Sequence, residues 1–280
     1  MDITHKVPSK VLTPTGGFLT GYTHTLNPYV GCSFACSFCY VRQMPVSLFR
    51  KAEWGTWVDV KQQAAEKLRK ELRSAKKKGP VTIFMSSATD PYQPVEYREQ
   101  VTRGLLEVLV EEPPAFLFVQ TRSPLVVRDL DLLVRLRERV RVSITVETDL
   151  EEMRRQFTPA APPLAARIKA LAACRNAGLD VQAAVSPLLP CSGSFAQKLR
   201  GVVDRVVLDT YQMGDGSGGK RTQRLGIDKL YQQLGAEEWY TGEAFQRVHA
   251  QFLEAFADGT VFVSQEGFLP NRDECGGQAE

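Results

Sequence analysis

The sequence predicts an α/β protein built as a partial (β/α)6 TIM-like barrel with a C-terminal extension. Short runs rich in β-branched and aromatic residues alternate with longer stretches of helical period, the pattern of repeated βα units around a parallel sheet. Some six such runs suggest a barrel that is not fully closed. The chain of 280 residues, 43% apolar and 24% charged, is long enough for one such barrel or for two small domains.

In chain order the expected strands are Pro28–Gly31, Val81–Ser86, Ala115–Thr121, Val140–Val146, Val181–Ser186 and Arg205–Thr210, with Thr260–Ser264 as a late addition. Between them Val58–Lys78, Val95–Val110, Leu125–Arg137, Pro162–Asn176 and Gly242–Phe256 carry apolar residues at helical spacing and charges on the opposite face. Gly79-Pro80 stops the first helix, Pro113-Pro114 follows the second and Gly178 closes the fourth. We divide the chain into an N-terminal segment (1–24), a core barrel (25–210) and an extension (211–280) that completes or covers the barrel. The glycine-rich stretch Met213–Arg221 reads as a mobile loop; a phosphate cradle is the sharper alternative, but the P-loop spacing is missing. The tail from Asn271 to Glu280 reads as frayed.

A formal charge of +3 is too small to argue for nucleic acid. The first ten residues lack an apolar signal core, and no stretch approaches the roughly 18 apolar residues that span a bilayer. Six cysteines in a chain this long, three of them clustered, do not resemble a secreted disulfide framework, so the expected compartment is the reducing cytoplasm, with no membrane partner.

Those three, Cys32, Cys36 and Cys39, lie in LNPYVGCSFACSFCYVR, close enough for one loop to wrap a single metal centre. Thiolates suit iron-sulfur clusters or zinc. Structural zinc wants four protein ligands, usually two separated pairs, and no second pair exists: Cys174 and Cys191 are far apart and Cys275 is in the tail. A zinc-bound nucleic-acid or protein-binding module with His24 as fourth ligand is therefore the rival reading. A cubane on three cysteines leaves one iron open for a small chelating molecule, and Phe34, Phe38 and Tyr40 are placed to shield it from water.

CSFACSFCY resembles the CxxxCxxC signature of the radical S-adenosylmethionine (SAM) superfamily, with Tyr40 as the aromatic residue after the third cysteine. NPYVGCSFACSFCYVR, SSATDPYQPVE, QTRSPLVVRDLDLL, VSITVETD, TPAAPPLAARIKAL and AGLDVQAAVSPLLP together, over about residues 25 to 190, are similar to the spore photoproduct lyase-like subgroup. The resemblance implies a barrel of the radical SAM type, a 4Fe-4S cluster on the three cysteines, and reductive cleavage of SAM to a 5′-deoxyadenosyl radical that takes hydrogen from a substrate. Tyr40, Thr89, Asp90, Arg122, Ser143 and Thr145 are then the candidate SAM-binding residues, Arg122 standing where the lyases commonly have a lysine. Asp90 has a turn-forming alternative, since Asp-Pro initiates turns, and Ser143 and Thr145 can equally line the barrel interior. The lyase's hydrogen-donating cysteine is replaced here by Ser86-Ser87, which speaks against the same repair route. Cys191 is the one candidate for a catalytic thiol, with an inert loop cysteine as the alternative. The implied partner is a one-electron donor such as flavodoxin or ferredoxin; the substrate, nucleic acid, peptide or small molecule, stays open.

His5, His24 and His249 are isolated and read as ordinary hydrogen-bonded residues. The basic run Lys67–Lys78 reads as a solvated helix face, and Trp54, Trp57 and Trp239 as packing residues.

Overall fold

The computed structural model describes residues 1–270; the predicted frayed tail and Cys275 lie outside the described residues. Eleven strands are seen among those residues: β1 (Asp2–Lys6), β2 (Leu12–Pro14), β3 (His24–Leu26), β4 (Tyr29–Val30), β5 (Trp57–Lys61), β6 (Thr82–Met85), β7 (Phe116–Thr121), β8 (Val140–Thr145), β9 (Asp180–Val185), β10 (Arg205–Leu208) and β11 (Val261–Val263). The main sheet runs β11-β10-β9-β8-β7-β6-β3-β2, and every neighbouring pair is parallel except β2 with β3. Strands β6 to β10, each followed by helix, and β3, whose crossover carries β4 and β5 as well as helix, are the six βα units of a partial barrel.

Alternation along these strands separates two cores. Ile83, Met85, Leu117, Val119, Val142, Ile144, Val181, Ala183, Val206 and Leu208 point outward into one large core shared with the helices. Phe84, Phe116, Phe118, Ala184 and Val207 instead fill the barrel interior, with Tyr22 and Phe268. Phe84 and Phe118 stack with centroids 5.0 Å apart, and the Tyr22 hydroxyl donates to the Phe268 carbonyl at 2.6 Å, tying the extension to the barrel interior. The helix at Ala64–Lys76 covers the sheet with Leu68 and Leu72, one turn apart and fully buried, each removal from water contributing about 1.5–3 kcal/mol. Its opposite face is basic, as expected, and Arg69 and Arg73 pair with Glu111 and Glu112 at the C-terminal end of the helix Val101–Glu111.

Several expected elements differ. The first barrel strand is His24–Leu26, not Pro28–Gly31; Tyr29–Val30 turns away and pairs with β5 in a separate sheet of order β1-β5-β4. Val58–Lys61 was expected as helix but is strand, because Val58 and Val60 alternate with Asp59 and a second chain segment, β1, supplies the hydrogen-bonding edge. That pairing also closes on charge: Asp59 accepts from Lys6 at 2.7 Å and Arg50 at 3.0 Å. The second expected helix breaks at Gln100, whose φ of +50° divides Glu96–Glu99 from Val101–Glu111. Leu125–Arg137 is mostly 3-10 helix, with one α-turn at Leu130–Leu133.

Candidate active site

The loop after β3 carries the cysteines, and close packing of backbone sets its course. Gly31 has φ +90°, and a Cβ there would meet the Trp57 carbonyl oxygen at 2.6 Å. Ala35 is held at φ +50° against Gly55. Arg42 donates to the carbonyls of Cys36 at 3.0 Å and Ala35 at 2.7 Å, and the Ser33 amide donates to Gln93 Oε1 at 2.9 Å. So wound, Cys32, Cys36 and Cys39 all line one cavity of about 500 Å³ at the C-terminal ends of the barrel strands.

Burial raises all three thiols. Cys32 is pushed further by the charges of Asp90, Cys36 and Cys39, and Cys36 rises to about 11 although Arg122 opposes the shift. Three soft donors facing one cavity, Cys32 and Cys36 buried and Cys39 half-buried, suit a metal centre that displaces their protons. Trp54 lines the same cavity, and its indole Nε1 is buried with no hydrogen-bond partner, a donor that cluster sulfide would satisfy. Among the described residues no three His, Cys, Asp or Glu side chains converge on a single metal ion. In a cubane each cysteine ligates a different iron, so such convergence is not what the cluster requires. His24 does not reach this cavity; it lines a separate cleft with Glu71 and Lys78, away from the place the zinc reading needs.

Of the candidate SAM residues, Tyr40, Thr89, Asp90, Arg122 and Thr145 line the cavity; Ser143 does not. Ser143 shares the inward face of β8 with Thr145 but lies one layer deeper, fully buried, accepting from Gln182 Nε2 at 3.4 Å. Tyr40 donates to the Ser87 carbonyl, fixing the cysteine loop to the loop after β6. Thr89 does the same by donating to the Gly31 carbonyl at 2.6 Å. Asp90 accepts from the Tyr92 amide at 2.9 Å, Thr121 Oγ1 at 2.6 Å and the Arg122 amide at 2.9 Å. The turn-forming role is thus realised, and the same carboxylate joins the loops after β6 and β7 while burial raises its pKa.

Cys191 packs into the main core and does not line the cavity; burial raises its pKa to about 12, and the same holds for Cys174. Among the described residues, the thiols that do line the cavity are the three of the cysteine loop.

Sequence reasoning missed Glu147, Arg167, Asp209 and Asp215. Glu147 bridges Arg122 at 2.5 Å and Arg167 at 2.6 Å, giving a buried Arg-Glu-Arg row behind the cavity. Burial would raise Glu147, but Arg167 and then Arg122 hold it below the usual carboxylate range. Arg122 is itself held up by Cys36 and Glu147 against the effect of burial. An acidic residue just past the C-terminal end of a barrel strand was the available signal, and it fits both Glu147 and Asp209. The stretch 213–221 is a structured cavity wall rather than a free loop. The Asp215 carboxylate accepts from the amides of Ser217, Gly219 and Arg221 at 2.7, 3.0 and 3.0 Å, so amides that a phosphate cradle would use are already engaged.

A family model described as the radical SAM superfamily matches residues 26–190. The chain belongs to the radical SAM superfamily. Its enzymes cleave SAM to begin radical chemistry, typically with a 4Fe-4S cluster, and generally draw on a one-electron donor. An uncharacterized protein of Methanocaldococcus jannaschii is 30% identical over 181 residues, 65% of either chain. An uncharacterized protein of Mycobacterium tuberculosis is 32% identical over 206 residues, 71% of this chain and 58% of that one. The matches therefore span less than two thirds of these relatives' lengths. Among solved structures, spore photoproduct lyase complexed with dinucleoside spore photoproduct has a TM-score of 0.66 at 14% identity, covering 93% of this chain and 81% of that one. SuiB of Streptococcus suis bound to S-adenosylmethionine has a TM-score of 0.50 at 14% identity, covering 75% and 47%. These likenesses are of fold: a radical SAM partial barrel with a C-terminal extension. No helix among the described residues is long and apolar enough to cross a membrane.

Proposed function

We propose that this protein is a radical SAM enzyme that holds a 4Fe-4S cluster on Cys32, Cys36 and Cys39 and takes hydrogen from a substrate bound in the same cavity. The observation that carries it is the opening of all three cysteines onto one cavity that Arg122 and Thr145 share. Bound on these cysteines, a reduced 4Fe-4S cluster would supply the electron for reductive cleavage of SAM. The chain's own residues prepare that event. Arg122 offers a guanidinium beside the thiols, positioned by Glu147, for the SAM carboxylate. Thr145 accepts from Gln120 Nε2 at 2.7 Å and adds a hydroxyl to the SAM side of the cavity. Tyr40, Thr89 and Asp90 keep the loops after β3, β6 and β7 in register, and Phe38 and Trp54 exclude water.

The substrate class we put first is a nucleic-acid lesion, on the likeness to a lyase that binds a dinucleoside photoproduct. Ser86 and Ser87 line the cavity where the resemblance leads one to seek a hydrogen-donating thiol, so hydrogen return follows another route here. The electron donor is external, a flavodoxin or ferredoxin type of carrier. Anaerobic reconstitution should load about four irons per chain, and SAM with dithionite should then yield 5′-deoxyadenosine. A colourless protein retaining one zinc overturns the proposal.

A further inference from the structure

Asp209 stands at the end of β10, on the cavity wall formed with Tyr211 and Gly214, and none of the SAM or cluster roles uses it. Its residue is only 2% exposed. The carboxylate accepts from the Thr210 amide at 2.9 Å, from Ser186 Oγ at a long 3.2 Å, and from Ser264. No Lys or Arg among the described residues pairs with it, and the like charge of Asp215 adds to the effect of burial. Burial therefore pushes it up to about 6. A carboxylate kept out of water without a cation is costly to the fold.

The wall is nevertheless shaped to keep it there. A Cβ on residue 214 would come within 2.2 Å of Asp209 Oδ2, so glycine at that position leaves the carboxylate its place. Two further polar side-chain atoms of the same cavity wall have no hydrogen-bond partner among the described residues: Gln120 Oε1, an acceptor, and Ser86 Oγ. An unpaired acceptor buried at the cavity wall calls for a donor from the ligand.

We propose that Asp209 is the specificity-determining residue of the substrate side, accepting hydrogen bonds from an N–H-bearing group of the substrate. The reading rests on the radical SAM function proposed above and names the chemistry its substrate must present. Two sources carry that chemistry, the exocyclic amino group of a nucleobase and a protonated aliphatic amine. Ser186 and Thr210 orient the carboxylate, and Tyr211 beside it gives an aromatic surface for the body of either ligand.

The test is calorimetric binding to the anaerobically reconstituted, SAM-saturated chain, using two matched pairs of probes. Cytidine carries an amino group where uridine has a carbonyl; benzylamine carries an ammonium where benzyl alcohol has a hydroxyl. The expected result is at least about tenfold tighter binding of the amino-bearing member of one pair, and that pair identifies the source. The preference should collapse in Asp209→Asn and in Gly214→Ala, which displaces the carboxylate without removing it. Equal binding within both pairs, or a preference that persists in Asp209→Asn, overturns the inference. Cluster absorbance and SAM binding are read on the same preparations. Failure of those in the unaltered chain sinks the radical SAM reading, whereas their retention with no probe preference sinks only the role of Asp209.

Discussion

Replacing Asp209 by asparagine should stabilise the protein at alkaline pH, because no Lys or Arg among the described residues pairs with the buried carboxylate. Its pKa rises from 3.8 to about 6 on folding. Folded chain thus binds the proton more tightly than unfolded chain, and the stability this supplies is complete below pH 3.8 and lost as pH rises through about 6. At about 1.4 kcal/mol per pKa unit the ionised group costs about 3 kcal/mol at pH 8 and about half of that at pH 5. Asparagine escapes this cost but offers one acceptor oxygen to donors that now share two, a loss of about 1 kcal/mol. The variant should gain about 2 kcal/mol at pH 8, a melting temperature about 3 °C higher for a chain of this length, and little at pH 5. Urea denaturation of the cluster-free chain at the two pH values measures it. A variant destabilised at pH 8 more than at pH 5 would show that the native carboxylate has a stabilising partner, and the argument from its burial would fail. Retaining a residue so costly to stability is what a binding role predicts.

Cys36→Ala should abolish both the brown absorbance of reconstituted protein and 5′-deoxyadenosine release; retention of either counts against the three-cysteine cluster. Glu147→Gln leaves Arg167, fully buried, without its counter-charge and should cost about 3–5 kcal/mol in urea denaturation, since a buried ion is expensive to strand. Gly55→Ala combines a φ of +100° with a Cβ 2.3 Å from that of Ala35, so about 1–3 kcal/mol of strain should appear and iron loading should fall as the cysteine loop shifts. Asp215→Ala removes the acceptor for three amides of the 213–221 wall, and limited proteolysis should then cut within it, where the unaltered chain resists.

The strands from Val81 onward were legible because a parallel sheet covered by helices buries near-continuous apolar runs, as in VTIFM and FLFVQT. Before that the sequence misled. His24–Leu26 is three residues long and too polar to announce itself, and β5 looked helical because its partner β1 lies 55 residues earlier. The cysteine loop and the Thr89-Asp90 turn were visible in local spacing, but Ser143 and Thr145 could not be separated, since register across β7 and β9 decides which reaches the cavity.

By itself, the sequence determined the family, the alternation of strand and helix, and the cysteine loop that we propose holds the cluster, all properties of residues within a few positions of one another. Only the tertiary structure decided which polar groups share the cavity. It joined Arg122 to Glu147 and Arg167, drew the 213–221 stretch into the wall through Asp215, excluded Cys191 and His24, and left Asp209 buried with no cation beside it among the described residues. Such pairings depend on residues tens of positions apart meeting in a low-dielectric interior, where a charge must find its partner or shift its proton.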